Sequence, residues 1–100
     1  MIEIQRSETF TKWFEGLRDR IARKRIFARL DRLVQGLAGD TKPIGQGVSE
    51  LRIDYGPGYR VYYLRRGNTL IILLAGGDKN TQSKDIQTAL DLAKSMKETN

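Results

Sequence analysis

The sequence has no cysteine and no histidine among its 100 residues. Without cysteine, a disulfide framework and thiolate metal sites are both excluded. Without histidine, the commonest metal ligand and the usual general acid or base are missing as well. Any chemistry on this chain therefore depends on Arg, Lys, Tyr, Asp and Glu, and we expect no cofactor.

Long hydrophobic runs are also missing. No stretch approaches the roughly 18 to 20 consecutive apolar residues that a membrane span needs. The N-terminal sequence MIEIQRSETF has neither a basic leader nor an apolar segment followed by a cleavage site. We therefore expect a cytoplasmic protein without membrane association, with a single domain over residues 1–100.

Charge of one sign predominates. Lys and Arg together number 18 against 12 Asp and Glu, which gives a formal net charge of +6 and a pI near 9.9. This balance favours a polyanionic partner, either nucleic acid or an acidic protein segment. A surface that is charged only for solubility would explain the same composition equally well.

Hydrophobic periodicity predicts a short strand and two helices in the N-terminal half. Ile2 and Ile4 alternate with polar residues, as in a strand with one inward face. Ser7 is a suitable N-cap for a first helix that ends near residues 16–18. A second, longer helix is predicted to end around residues 36–39. Its expected core-facing residues are Ile21, Ile26, Phe27, Leu30, Leu33, Val34 and Leu37.

The C-terminal half is predicted to hold three strands and a closing helix. Residues 40–49 contain proline and glycines with little periodicity, which predicts a loop. Strands are predicted over residues 48–55, 59–65 and 69–75, and the last is apolar on both faces, as expected of a central strand. Asn80 or Thr81 can cap the helix. The order β-α-α-β-β-β-α predicts an α+β fold with a small, mainly antiparallel sheet packed against two N-terminal helices.

The segment ELRIDYGPGYRVYY, residues 50–63, reads as two paired strands around a tight turn. Side chains alternate between the two faces of a strand, so the direction of one side chain fixes that of its neighbours. If Val61 packs inward, Arg60 and Tyr62 lie beside Arg52 on an exposed face of the sheet. Such a face can bind a phosphodiester through its guanidiniums and stabilise charge that develops there.

Acidic residues on the same hairpin offer a second explanation. Glu50 and Asp54 share the face of Arg52 on the first of the two strands. Ion pairing of Arg52 or Arg60 with these carboxylates would support the sheet without any ligand. The hairpin pattern alone leaves both explanations open.

Two further segments are basic or suited to anions. The second helix is rich in Arg and Lys, which indicates either a footprint for a phosphate backbone or a solvated helix face. GGDK, residues 76–79, turns the chain off the last strand, so that Lys79 lies at the edge of a helix N-terminus that can hold an anion. The same segment is also common in structural turns. We predict Arg23, Lys24, Arg29 and, in the closing helix, Lys84 as RNA-binding residues.

Taken in order, these segments resemble the RelE/ParE superfamily of bacterial toxins, and within it the small HigB-like group of addiction module killer proteins. The likeness rests on the aromatic first helix, the basic second helix, the hairpin, LLAGGDK and TQSKDIQTALDLAK. It implies a RelE-like fold and a metal-independent ribonuclease that cleaves messenger RNA, often on the ribosome. In such enzymes the ribose 2′-hydroxyl attacks the adjacent phosphate and leaves a 2′,3′-cyclic phosphate and a 5′-hydroxyl.

The resemblance also implies roles for individual residues. Arg60 matches the arginine that holds the scissile phosphate, and Arg52 matches a basic residue on the adjoining strand. Lys79 lies where relatives have an arginine or lysine that stabilises charge at the phosphate or the leaving oxygen. Glu50 takes a position where some relatives have lysine, so it is either the base or a residue that orients Arg52.

The closing helix departs from the pattern of the resemblance. Well-known relatives have a tyrosine or histidine near it, whereas this chain reads QSKDI. Lys84 and Asp85 are the residues that can substitute there. The group that moves the proton is therefore left open between Glu50, Tyr62 and Asp85.

The resemblance further implies a partner: an antitoxin with a helix-turn-helix domain and an acidic or amphipathic segment that covers the basic groove. Messenger RNA and the ribosome are the other expected partners. Two alternatives remain, a ParE-like inhibitor of DNA gyrase and an RNA-binding domain without catalytic activity.

Overall fold

A computed structural model describes the backbone of residues 2–98 and the side chains of residues 2–96. The chain forms a five-stranded sheet with helices on both faces. This confirms the predicted α+β class. The elements are β1 (Glu3–Arg6), α1 (Glu8–Glu15), α2 (Arg20–Val34), β2 (Thr41–Gly45), β3 (Val48–Ile53), β4 (Tyr59–Arg66), β5 (Leu70–Gly77) and α3 (Gln82–Glu98), with a 3₁₀ turn over Lys79–Thr81 between β5 and α3.

The sheet has the strand order β1-β5-β4-β3-β2, in which β1 pairs with β5 in parallel and the other pairs are antiparallel. Residues 71–77 of β5 are all buried, as predicted for a strand covered on both faces. The loop predicted over residues 40–49 is wrong, because β2 pairs with β3 along the edge of the sheet. Pro43 is tolerated there since an edge strand can leave one row of N–H positions unpaired.

Helices α1 and α2 cover one face of the sheet. The Ser7 hydroxyl accepts a hydrogen bond from the Phe10 N–H at 3.0 Å, which confirms the predicted cap of α1. The sheet-facing stripe of α2 consists of Ala22, Ile26, Leu30 and Leu33. Three residues that were predicted to face the core lie outside this stripe and are 56%, 58% and 57% exposed, namely Ile21, Phe27 and Leu37.

Helix α3 covers the opposite face of the sheet. Ala89 and Ala93 are fully buried against a second cluster of side chains from β3, β4 and β5. The prediction that one face of the hairpin stays open is therefore wrong. Val61 does pack inward toward α1 and α2, yet Tyr62 on the other face is 0% exposed because α3 lies over it. Within residues 2–98, none of the helices combines the length and apolar character that crossing a membrane requires.

A register shift in β5 aligns the end of that strand with the hairpin. Tyr62 pairs with Ala75 whereas Tyr63 pairs with Leu73, so Leu74 is the extra residue of a β-bulge. Beyond the bulge, Arg60 lies directly opposite Gly77. The bulge therefore places a residue without a side chain beside the arginine.

Candidate functional site

The structure places Arg52 and Arg60 directly opposite each other on β3 and β4. Both line a cavity of about 390 Å³, together with Asp54 and Tyr59. Cross-strand neighbours share one face of the sheet and lie within reach of one ligand. The two arginines are thus brought together as the sequence predicted.

Lys79 lies at the rim of this cavity. Its N–H approaches the Pro57 carbonyl at 3.4 Å, and its Cβ would be 3.6 Å from a Cβ built on Gly58, a residue that lines the cavity. The turn that carries Lys79 is capped by Asp78, whose carboxylate accepts from two backbone N–H groups. Asn80 and Thr81, the predicted caps of the closing helix, lie within this turn directly before α3.

The Arg60 guanidinium is buried but poorly satisfied. Its side chain is 15% exposed, and Nε forms an ion pair with Oε2 of Glu50 at 3.6 Å, which confirms the predicted pairing of this arginine with a carboxylate of the hairpin. The distance is too long for a hydrogen bond. Neither Nε nor Nη1 has a hydrogen-bond partner among the side chains and backbone that the structure describes. A buried donor without a partner is costly, by about 1–3 kcal/mol, so this arginine has unused capacity for an acceptor.

Glu50 is a buried carboxylate at the centre of the site. It is 2% exposed, and its Oε2 accepts hydrogen bonds from the Tyr62 phenol at 3.1 Å and from Nε2 of Gln82 at 2.9 Å. Gln82 is the first residue of α3 and was not predicted, because nothing in the sequence connects it with β3. The carboxylate is thereby held in one orientation toward Arg60.

Tyr62, one of the three predicted proton-transfer residues, is 0% exposed, so its phenol is out of reach of a substrate. Burial, followed by the charge of Glu50 and its hydrogen bond, raises the pKa of Tyr62 far above the ordinary value of 10.0. The phenol therefore stays protonated at neutral pH and donates to Glu50. Since its ring is inaccessible, we interpret Tyr62 as a residue that positions Glu50.

This environment predicts an alkaline loss of stability. The unfolded chain loses the Tyr62 proton near pH 10, whereas the folded protein retains it, so the unfolded state binds fewer protons above that pH. The free energy of unfolding should then fall by up to about 1.4 kcal/mol per pH unit through this group. Urea titrations of wild type and Tyr62→Phe from pH 8 to 11 measure the difference. Parallel pH profiles for the two proteins would contradict the prediction.

Asp85 reaches the site from the first turn of α3. Its carboxylate accepts a hydrogen bond from the Thr81 hydroxyl and packs against Gly77. A Cβ built on Gly77 would lie 1.8 Å from Oδ2 of Asp85. Gly77 is the residue opposite Arg60, so the missing side chain leaves room for Asp85 beside the arginine. Asp85 remains half-buried, in contrast to Glu50.

Arg52 has an acidic partner that the sequence did not predict. Its Nη2 and Nε donate to Oδ1 of Asp40 at 2.7 and 3.1 Å. Glu50 and Asp54 were the expected partners, but the residue that pairs with Arg52 lies just before β2, the strand that sequence reasoning missed. The ion pair is exposed, with 41% of the Arg52 side chain accessible, so a phosphate can compete with Asp40 for it.

The predicted RNA-binding residues fall into two groups. Arg29 donates to the backbone carbonyls of Arg52, Ala38 and Asp40, and the Arg23 guanidinium lies 5.1 Å from the centre of a phenylalanine ring in α1. These contacts tie α2 to its neighbours. Lys24 and Lys84 are exposed. No hydrogen bond or ion pair links either lysine side chain to the described residues, so their predicted role rests on charge alone.

Comparison with known proteins gives a family and a relative. The family described as "Phage derived protein Gp49-like (DUF891)" matches residues 12–98, a range that includes every predicted site residue. A protein of Haemophilus influenzae with the description "Uncharacterized protein" is 46% identical over 95 residues, which cover 95% of this chain and 96% of that protein.

Proposed function

The chain belongs to the phage-derived Gp49-like family, which is associated with RelE-like toxin–antitoxin modules, and on that premise we propose that it is a HigB-like toxin that cleaves messenger RNA. The proposed activity is that of a metal-independent endoribonuclease of a type II module. Its substrate phosphate would bind in the cavity lined by Arg52 and Arg60.

The observation that supports this proposal most directly is the unsatisfied guanidinium of Arg60. Its Nε and Nη1 are buried without hydrogen-bond partners in the described structure, beside a second arginine. A phosphodiester offers acceptor oxygens that match the planar fork of a guanidinium. Because both nitrogens are closed to solvent, a phosphodiester in the cavity would satisfy them only if the Arg60 side chain turned toward it on binding.

The proposed step forms a bond between the ribose 2′-oxygen and phosphorus as the bond from phosphorus to the 5′-oxygen breaks. The 2′-hydroxyl gives up its proton to a carboxylate, and the departing 5′-oxygen takes up a proton from water. Arg52 and Arg60 stabilise the extra negative charge on the five-coordinate phosphorus. Lys79, at the rim of the cavity, lies where it can stabilise the leaving oxygen.

Asp85 is the better placed of the two remaining candidates for the proton acceptor. Glu50 is 2% exposed and already accepts from Tyr62 and Gln82, which suits it to holding Arg60 in position. Asp85 is half-buried and its carboxylate packs over Gly77, the residue opposite Arg60 on β5. We therefore assign proton transfer to Asp85 and positioning to Glu50.

The proposed function includes partners and a cellular location. A net charge of +6 favours messenger RNA and the ribosome as partners, and it would also attract an acidic segment of a cognate antitoxin with a helix-turn-helix domain. On the same ground we propose that the protein acts in the cytoplasm.

The test is cleavage of messenger RNA by the purified protein, with free RNA in the presence of EDTA and with translating ribosomes in their Mg²⁺ buffer. We expect fragments that end in a 2′,3′-cyclic phosphate and a 5′-hydroxyl, and the same ends in cells after brief induction. DNA breaks and an SOS response before any loss of message would instead indicate a gyrase inhibitor. Salt-dependent RNA binding without any product would indicate a non-catalytic RNA-binding domain.

A further inference from the structure

A second cavity adjoins the candidate site along α2. It has a volume of about 290 Å³ and is lined by Arg25, Ala28, Arg29, Arg32, Ile53 and Asp54. Ile53 and Asp54 also line the cavity of Arg52 and Arg60. The two cavities therefore form one continuous surface around the end of β3.

The three arginines of this second cavity lie on one side of α2, since their spacing is i, i+4 and i+7. Seven residues of helix extend roughly 10 Å. Ala28, which lies between them, has a small side chain that leaves this second cavity open. Arg29 donates to backbone carbonyls and forms the floor, so Arg25 and Arg32 are the cations available to a ligand.

Arg25 is held in place while its charge remains accessible. Its guanidinium lies 4.8 Å from the centre of the Tyr55 ring, and the Tyr55 phenol donates to Oδ2 of Asp19 at 3.0 Å. Arg32 makes no hydrogen bond or ion pair through its side chain with residues 2–96. One guanidinium is thus oriented in advance and the other is unengaged, which suits a flexible polyanion.

We infer that this groove, defined by Arg25, Arg29 and Arg32, is a second phosphate-binding subsite that holds single-stranded RNA beyond the phosphate bound by Arg52 and Arg60. The inference rests on the proposed function for the identity of the polyanion. Arg25 and Arg32 belong to the basic sequence of α2, and they take the role that charge alone had assigned to Arg23 and Lys24.

RNA fits this groove better than an acidic helix of a protein partner does. An amphipathic helix needs an apolar groove for its hydrophobic face. The large exposed apolar side chains of the described chain are Ile4, Ile21, Phe27 and Leu37, and none of them lines the groove. Asp54 lies at the junction of the two cavities and weakens phosphate binding there, so Asp54→Asn should tighten it.

The experiment compares Arg25→Gln/Arg32→Gln with Lys12→Gln/Lys94→Gln, a matched loss of two positive charges from exposed positions of α1 and α3 outside both cavities. The probes are 2′-O-methyl RNA oligonucleotides of about two to eight nucleotides, which cannot undergo 2′-oxygen attack. For the longer probes we expect the arginine double variant to lose about tenfold or more in affinity, with a salt slope smaller by about 1.4. Binding of the dinucleotide should be unchanged, and Lys12→Gln/Lys94→Gln should change neither quantity by a comparable amount.

The outcomes separate this inference from the proposed function. Loss of affinity for the long probes in the arginine double variant supports the subsite even if the wild type cleaves no RNA. Equal losses for Lys12→Gln/Lys94→Gln and Arg25→Gln/Arg32→Gln, or equal losses for short and long probes, would overturn it. An arginine double variant that binds polyglutamate less tightly and the oligonucleotides normally would assign the groove to an acidic protein partner. Circular dichroism confirms that each variant is folded.

Discussion

Arg60→Ala is expected to lower the single-turnover rate of RNA cleavage by about 10²- to 10³-fold, the usual effect of removing one preorganised donor to a developing oxyanion. The reason is geometric, since Arg60 on β4 lies directly opposite Arg52 on β3. Its Nε and Nη1 make no hydrogen bond in the described structure. Arg60→Lys should recover only part of the rate. It keeps the positive charge near Glu50 but loses the planar fork that can bind two phosphate oxygens.

A matched control for this prediction lies on the same strand. Arg65 is exposed and donates to Gly67 and Asn68 in its own turn, so Arg65→Ala should leave the cleavage rate unchanged. Thermal unfolding by circular dichroism shows whether Arg60→Ala remains folded. If it does not, the cleavage rate of Arg60→Lys is compared with that of the wild type instead. Cleavage by a folded Arg60→Ala protein at the wild-type rate would remove this arginine from the mechanism.

Much of the fold follows from hydrophobic patterning, and the failures have physical causes. The run over residues 69–75 is apolar in both alternating sets, and β5 is indeed covered on both faces. β2 was missed because a half-exposed edge strand with Pro43 has almost no periodic signal. Tyr62 was misplaced because the pattern of the hairpin cannot show that a helix from the other end of the chain covers its second face.

The candidate site was predictable where it depends on local spacing. Arg52 and Arg60 are each four residues from Gly56, so the turn alone brings them into register. Asp40 and Gln82 were not predictable, because they reach the site from elements far away in the sequence. Sequence therefore identified the arginines, whereas the structure was needed to find the groups that hold them.

The largest loss of stability is expected from Gly76→Ala. Gly76 follows the bulge of β5 and faces α1, where an added Cβ would lie 2.2 to 2.7 Å from three atoms of the Trp13 indole. An aromatic ring in contact with Phe10 and Tyr59 cannot move aside without shifting α1. Overpacking of this kind costs about 1–3 kcal/mol, and we expect a value at the upper end from urea unfolding.

A double-mutant cycle identifies the cause of that loss. Trp13→Leu removes the ring that the new methyl group would strike, so the double variant Gly76→Ala/Trp13→Leu should be destabilised by clearly less than the sum of the two single changes. Strict additivity would show that the indole does not oppose the methyl group. Because Gly76 lies between the bulge and Gly77, a shift of α1 that accommodates the methyl group would also move the backbone opposite Arg60. Gly76→Ala should therefore lower the rate of RNA cleavage as well as the free energy of unfolding. Adding Trp13→Leu to this variant should partly restore both quantities.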